Sequence, residues 1–268
     1  MSNDEKAGIK TALWGRYLYC LIDGSVKINL GKIGLDGNEV YTIPFNDISA
    51  VVHDCPCEPY KSDDNDLVKR WAIIHEKVVE DSLEKFGNVL PFGFDTIIKG
   101  DAAISSDENI RIWLRDEYSS LKKKMDRIRG KNEYGIQIFL DSDIVADEIR
   151  TTNIEFQSLD QEIKSKPAGM AYMLKGKLDN LLKTEIGIKA DIYRKEIYGR
   201  IKGYVDEVRV EKTKKADGNK QMLLNLSCLL DKGKVTNLGD MLEIINKTEG
   251  FSVRFTGPWP PYSFVVPG

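Results

Sequence analysis

Apolar residues recur along this chain with two different periods, and the two alternate. Residues 16–22 are apolar on both faces, Tyr17, Tyr19 and Leu21 on one side and Leu18, Cys20 and Ile22 on the other, which predicts an interior strand. Short β-prone pieces follow at 26–30 and 40–43, punctuated by the turn signals Asp23-Gly24 and Asp36-Gly37, and a further strand is expected at 48–53. Residues 54–66, rich in acids and holding Pro56 and Pro59, read as a surface loop. From Asp66 the period lengthens. Leu67, Trp71, Ile74, Val78, Leu83 and Phe86 share one face of a helix that Gly87 is placed to end. Residues 89–94 predict a short buried strand. Ser105 with Glu108 forms a capping box for a helix whose apolar face is Ile110, Trp113, Leu114, Tyr118, Leu121 and Met125. Gly130 then marks a domain boundary.

Past Gly130 the pattern is cleaner. Tyr134, Ile136, Ile138 and Leu140 form the apolar face of a strand. Helical sequence runs over 142–203, with breaks expected at Pro167 and Gly187. Strands are predicted at 204–211 and 222–230, joined by a connection whose Asp217-Gly218 is a turn signal, and Met222, Leu224, Leu226, Cys228 and Leu230 share a face. Leu238, Met241, Leu242 and Ile245 mark a short amphipathic helix, and Phe251, Val253 and Phe255 a last strand. The predicted class is α+β in two domains. Residues 1–130 form an N-terminal α+β domain. Residues 131–256, in the order β–α–β–β–α–β, form a ferredoxin-like (split βαβ) domain with a helical extension at about 154–203. Residues 257–268 are a tail.

Composition narrows the function classes. Across 268 residues, 39 Lys and Arg face 42 Asp and Glu, a net charge of -3, which argues against nucleic-acid binding. The apolar runs are short of the roughly 18 residues a membrane span needs, and the first ten residues are charged rather than signal-like, so a soluble intracellular protein that does not enter a membrane is expected. Only His53 and His75 supply imidazoles, and the four cysteines contain no CxxC pair. His53-x-Cys55-x-Cys57 lacks the second ligand pair of a structural zinc site, so cysteines incidental to a loop are the preferred reading. His75, beside the Trp71 and Val78 stripe, reads as a structural histidine. No nucleophile elbow or phosphate-loop spacing occurs, and Gly31, Gly34 and Gly37 read as turn residues. The basic clusters at 122–129 and 209–215 are interleaved with acids and read as a helix end and a hairpin rim. No catalytic residue, metal or cofactor is expected.

The tail stands apart. Four of the nine prolines lie in residues 256–268, together with Trp259, Tyr262 and Phe264, and such a segment is semi-rigid and is not expected to continue a sheet. Exposed aromatics would invite aggregation unless docked, so Trp259, Tyr262 and Phe264 are the candidates for tail docking or protein contact. Its Phe255-Thr256-Gly257-Pro258-Trp259-Pro260-Pro261-Tyr262-Ser263-Phe264 resembles the signature ending of the gas vesicle protein F/L family. Tyr17-Leu18-Tyr19-Cys20 resembles that family's opening strand, Val89-Leu90-Pro91-Phe92-Gly93-Phe94-Asp95-Thr96 its central motif, and Pro167-Ala168-Gly169-Met170-Ala171-Tyr172-Met173-Leu174 the start of its long helix. The central motif often reads Arg-Phe-Gly-Thr in the family where Gly93-Phe94-Asp95-Thr96 stands here, so no role of that arginine transfers.

The resemblance implies a two-domain α+β accessory protein of gas vesicles without enzymatic activity. Its implied partners are the small hydrophobic shell protein and other accessory gas vesicle proteins, and its implied location is the gas vesicle and the cytoplasm. The alternative is a small-molecule-binding or enzymatic ferredoxin-like protein acting through His75 and the acidic loop around His53.

Overall fold

The computed structural model describes residues 14–265 other than Ala102 and Asp217, so part of the Asp217-Gly218 turn and tail residues 266–268 lie outside the described residues. The chain divides into two compact units. One takes Met1–Gly130 with Trp259–Gly268, the other Lys131–Pro258.

The first unit contains β1 (Trp14–Asp23), β2 (Asn29–Gly31), β3 (Val40–Phe45), β4 (Ile48–Pro56), α1 (Asn65–Phe86), β5 (Val89–Pro91), β6 (Ile97–Lys99), α2 (Ser106–Asp116) and α3 (Tyr118–Ile128). Its sheet runs in the order β2-β3-β4-β1-β5, with β6 also paired to β1, so β1 is interior as its two apolar faces predict. Strict alternation along β1 does not hold. The β1–β4 register passes from Leu18↔Val52 to Cys20↔Val51, which leaves Tyr19 as the extra residue of a β-bulge. The bulge resets the pleat, and Tyr17, Tyr19, Cys20 and Ile22 join one core with Trp71, Val78 and Val79 of α1.

Local signals account for the helix ends. Asp64 caps α1, accepting from the N–H groups of Asp66 at 2.9 Å and Leu67 at 3.2 Å. Gly87, at φ 78, closes it with an N–H to Leu83 oxygen bond of 2.8 Å. Ser105 caps α2 by accepting from Glu108 N–H at 3.2 Å. The single helix expected after Ser105 is two, because Glu117 (φ -97, ψ 3) interrupts the helical backbone. The expected loop begins later than predicted, since β4 continues through Cys55 to Pro56.

The second unit contains β7 (Lys131–Asp141), α4 (Ser142–Thr152), α5 (Ile154–Ser165), α6 (Ala168–Lys202), β8 (Glu207–Val210), β9 (Lys220–Asp231), α7 (Val235–Lys247) and the start of β10 (Phe251–Trp259). Its sheet order is β10-β7-β9-β8, with β9 antiparallel to both β7 and β8. Ile136, Ile138, Leu226 and Cys228 on the sheet pack with Ala190, Ile197 and Ile201 of α6 and with Leu238, Met241 and Leu242 of α7. Burying each such aliphatic side chain is worth about 1.5–3 kcal/mol. At Gly135 a Cβ would stand 2.7 Å from Thr256 Oγ1, so only glycine allows this approach of β7 to β10.

Three boundaries differ from expectation, two of helices and one of a strand. Asn153 splits α4 from α5 by accepting from Phe156 N–H at 2.9 Å. The break at Pro167 is present, whereas α6 runs unbroken for 35 residues through Gly187. An interior glycine costs a helix only about 1 kcal/mol, less than the packing of Ala190, Ile197 and Ile201 returns. Finally, β10 extends through Pro258 to Trp259, contrary to the expectation that the tail could not continue a sheet. It is the outer strand of the order, where a proline can lie with its missing N–H on the unpaired side.

Candidate functional site

Both histidines of the chain fall in one buried aromatic network of the first unit. Tyr17 and Tyr19 reach it from β1, His53 from β4, His75 from α1 and Tyr60 from the loop before α1. Tyr17 and Tyr19 share a face of β1 by the ordinary alternation of a strand, and the bulge adds Cys20 and Ile22 to that face. Tyr19 Oη accepts from Leu35 N–H at 3.1 Å and lies 2.8 Å from His53 Nδ1, and His53 Nε2 lies 3.0 Å from Tyr60 Oη. Tyr19 is fully buried and its oxygen already accepts from Leu35, so the assignment that leaves no buried hydroxyl hydrogen of Tyr19 unpaired has Tyr19 O–H donating to Nδ1 and Nε2–H donating to the half-buried Tyr60. His75 Nε2–H donates to Phe92 oxygen at 3.1 Å, so its Nδ1 accepts from Tyr17 O–H at 2.9 Å. Tyr17 Oη in turn accepts from Asp95 N–H at 3.0 Å.

The network is closed chemically. Burial pushes both imidazoles down to about 4, and it raises the hydroxyls of Tyr17, Tyr19 and Tyr60. The four bonds to His53 and His75 use every ring nitrogen, leaving none for a metal or substrate. Cys55 lies on the same strand as His53, fully buried, with its thiol pushed up to about 11 by burial, which disfavours the thiolate a metal needs. Among the described residues no group of three or more His, Cys, Asp or Glu side chains is arranged to hold a metal ion. The sequence pointed to His53 and Cys55 within one motif and to His75 as a separate feature. Their shared network carries no local signal, because 22 residues separate the two histidines in chain order.

The three tail candidates have different environments. Phe264 is 3% exposed, and its carbonyl accepts from Arg127 Nη1 at 3.4 Å. Tyr262 packs against the first unit's core beside His75, with ring centroids 6.4 Å apart, and its buried hydroxyl has no hydrogen-bond partner among the described residues. Trp259 is 44% exposed. A short helix, α8 (Tyr262–Val265), carries Tyr262 and Phe264 against β5.

A second group of apolar side chains left in solvent lies on a helix of the second unit. Met170, Tyr172 and Met173, in the first turns of α6, are 54%, 80% and 70% exposed. The fully buried residues of α6 begin only at Ala190, and its covered face extends back through the partly buried Leu182, Leu181 and Leu178, leaving the turns before them exposed.

A sequence profile described as "Gas vesicle synthesis protein GvpL/GvpF" matches residues 15–266. The chain belongs to this family. Among curated relatives of this GvpL/GvpF member, it is 32% identical to gas vesicle protein L1 of Halobacterium salinarum, over 95% of this chain and 92% of that protein. It is 28% identical to gas vesicle protein L of Haloferax mediterranei, over 97% and 90% of the two chains. In fold it is similar to the crystal structure of GvpF from Anabaena, with a TM-score of 0.74 at 19% identity, covering 95% of this chain and 99% of that one. The GvpF structure from Microcystis aeruginosa gives a TM-score of 0.65 at 18% identity. The α+β fold is therefore shared with GvpF. No helix among the described residues is long and apolar enough to cross a membrane.

Proposed function

We propose that the chain is a non-catalytic accessory protein of gas vesicle formation, which holds the small hydrophobic shell protein and other accessory gas vesicle proteins during assembly, in the cytoplasm and at the vesicle. The observation that carries this reading is the solvent-facing Met170, Tyr172 and Met173 at the head of α6. A subunit that will face gas must expose apolar surface and aggregates unless held, and flexible methionines suit such a surface because they adapt to its shape. The closed state of the tyrosine–histidine network gives no support to the alternative of chemistry at His53 and His75.

We read the second unit as the ferredoxin-like domain with α5 and much of α6 as its helical extension; the order β10-β7-β9-β8 supports this. In this reading residues 1–130 form the other domain, Tyr262 and Phe264 anchor the tail, and Trp259 is its outward contact residue. The test is deletion of the gene from its gas vesicle operon followed by complementation. Wild type is expected to restore vesicles in electron micrographs, and a Met170→Ser, Tyr172→Ser, Met173→Ser variant with unchanged circular dichroism is expected not to. Full restoration by that variant would remove the reading.

A further inference from the structure

A groove of about 640 Å³ opens on the sheet of the second unit, away from the helices. Lys214 and Lys215 come to it from the β8–β9 connection, Lys220 from the start of β9 and Arg254 from β10. Its floor includes Phe139 of β7 and Met222 of β9. Sequence spacing assigns the lysines to a hairpin rim and gives no reason to associate them with Arg254, about forty positions later in the chain.

Two observations make this more than a solvated rim. The connection is tied down over β9: Lys214 N–H donates to Met222 Sδ at 3.3 Å, and Asn225 Nδ2 donates to Lys212 oxygen at 2.9 Å. Among the described residues the four cations are also uncompensated. None of them makes an ion pair among the described residues, and no carboxylate is among the described residues lining the groove. Asp141, opposite Lys220 in the β7–β9 register, accepts from Asp143 N–H as the cap of α4. The basic cluster of the first unit behaves differently: Lys122 meets Asp47 at 2.9 Å, and Arg129 meets Asp23 at 2.5 Å.

We propose that this groove binds a short acidic segment of a partner protein, with carboxylates on the four cations and an apolar side chain on Phe139 and Met222. Charge complementarity supplies orientation and the floor supplies the desolvated contact. A long polyanion such as nucleic acid fits less well, since the chain as a whole carries a net charge of -3 and would repel it beyond the groove. The surface is distinct from Met170, Tyr172 and Met173, so it stands whether or not α6 contacts the shell protein.

The experiment uses the full-length protein and a fluorescent peptide of alternating glutamate and leucine, followed by anisotropy at low salt. Saturable binding is expected, weakened roughly tenfold or more in Lys214→Glu, Lys220→Glu, Arg254→Glu protein and weakened by added salt. Lys123→Glu, Lys124→Glu protein, altered at exposed positions of α3, is the charge control and is expected to bind as wild type does. Circular dichroism establishes that each variant is folded. Absence of saturable binding, equal binding by the groove variant, or equal binding of a glutamine–leucine peptide would overturn the proposal. Displacement of the peptide by single-stranded DNA at lower concentrations than by unlabelled peptide would also overturn it and assign the groove to nucleic acid.

Discussion

The two units use their polar and apolar groups in opposite ways. The first turns its tyrosines and histidines inward and pairs the cations at 122 and 129 with Asp47 and Asp23. The second packs one sheet face tightly but leaves Met170, Tyr172 and Met173 in solvent and, around a groove, four cations without ion pairs among the described residues. Internal satisfaction makes a region rigid and chemically quiet. Groups left unsatisfied on a surface are available to something else. The difference teaches that both histidines have every ring nitrogen hydrogen-bonded within the fold, while the surfaces proposed for contact consist of residue types that look ordinary in sequence.

Acid is expected to break the contrast most strongly. In the folded first unit His53 and His75 titrate near 4, against an ordinary value of 6.5. Between those values the unfolded chain binds protons that the folded chain does not, so stability falls as pH drops from about 6.5 toward 4, by up to about 3 kcal/mol per histidine. Above pH 6.5 both states hold neutral imidazoles and this contribution is flat. Trp14, Trp71 and Trp113 lie within the first unit and Trp259 ends β10, so urea unfolding followed by tryptophan fluorescence reads chiefly the first unit. A His53→Gln, His75→Gln protein should show a shallower pH dependence over the same window; an unchanged slope would mean that carboxylates dominate it.

Phe264→Ala tests the tail and is expected to cost about 4 kcal/mol by the same readout, since a buried aromatic is lost and a cavity is left. Tyr19→Phe removes one hydroxyl and strands both Leu35 N–H and His53 Nδ1. About 3 kcal/mol should be lost, with little change in shape. At the other extreme, Tyr172→Ser in α6 is expected to change thermal stability by less than about 0.5 kcal/mol, because the side chain is 80% exposed. A larger loss there would show that the α6 surface is structural, and the contrast between the units would shrink.

Features encoded by neighbours along the chain were legible. The period of α1 between Asp64 and Gly87, the Ser105 cap and the α7 stripe at 238, 241, 242 and 245 each depend on a few successive residues. The tail was legible in part. Its proline and aromatic crowding marked it as unusual, and the resemblance it carried agrees with the family match over residues 15–266. Boundaries set by competition were misjudged: Gly187 looked like a helix break, but packing against the sheet outweighed its propensity.

The sequence by itself determined the alternation of elements, the near-neutral charge and the family, because periodicity, capping and motif are local properties of the chain. Only the tertiary structure decided that Tyr19 sits in a bulge that brings Cys20 and Ile22 onto the face of Tyr17, that His53 and His75 share one hydrogen-bonded network, and that Arg254 stands beside Lys214 and Lys220. These depend on strand register and on which distant segments become neighbours. A one-residue change of register moves a side chain to the opposite face of a sheet, and nothing in the residues adjacent to it records which face was chosen.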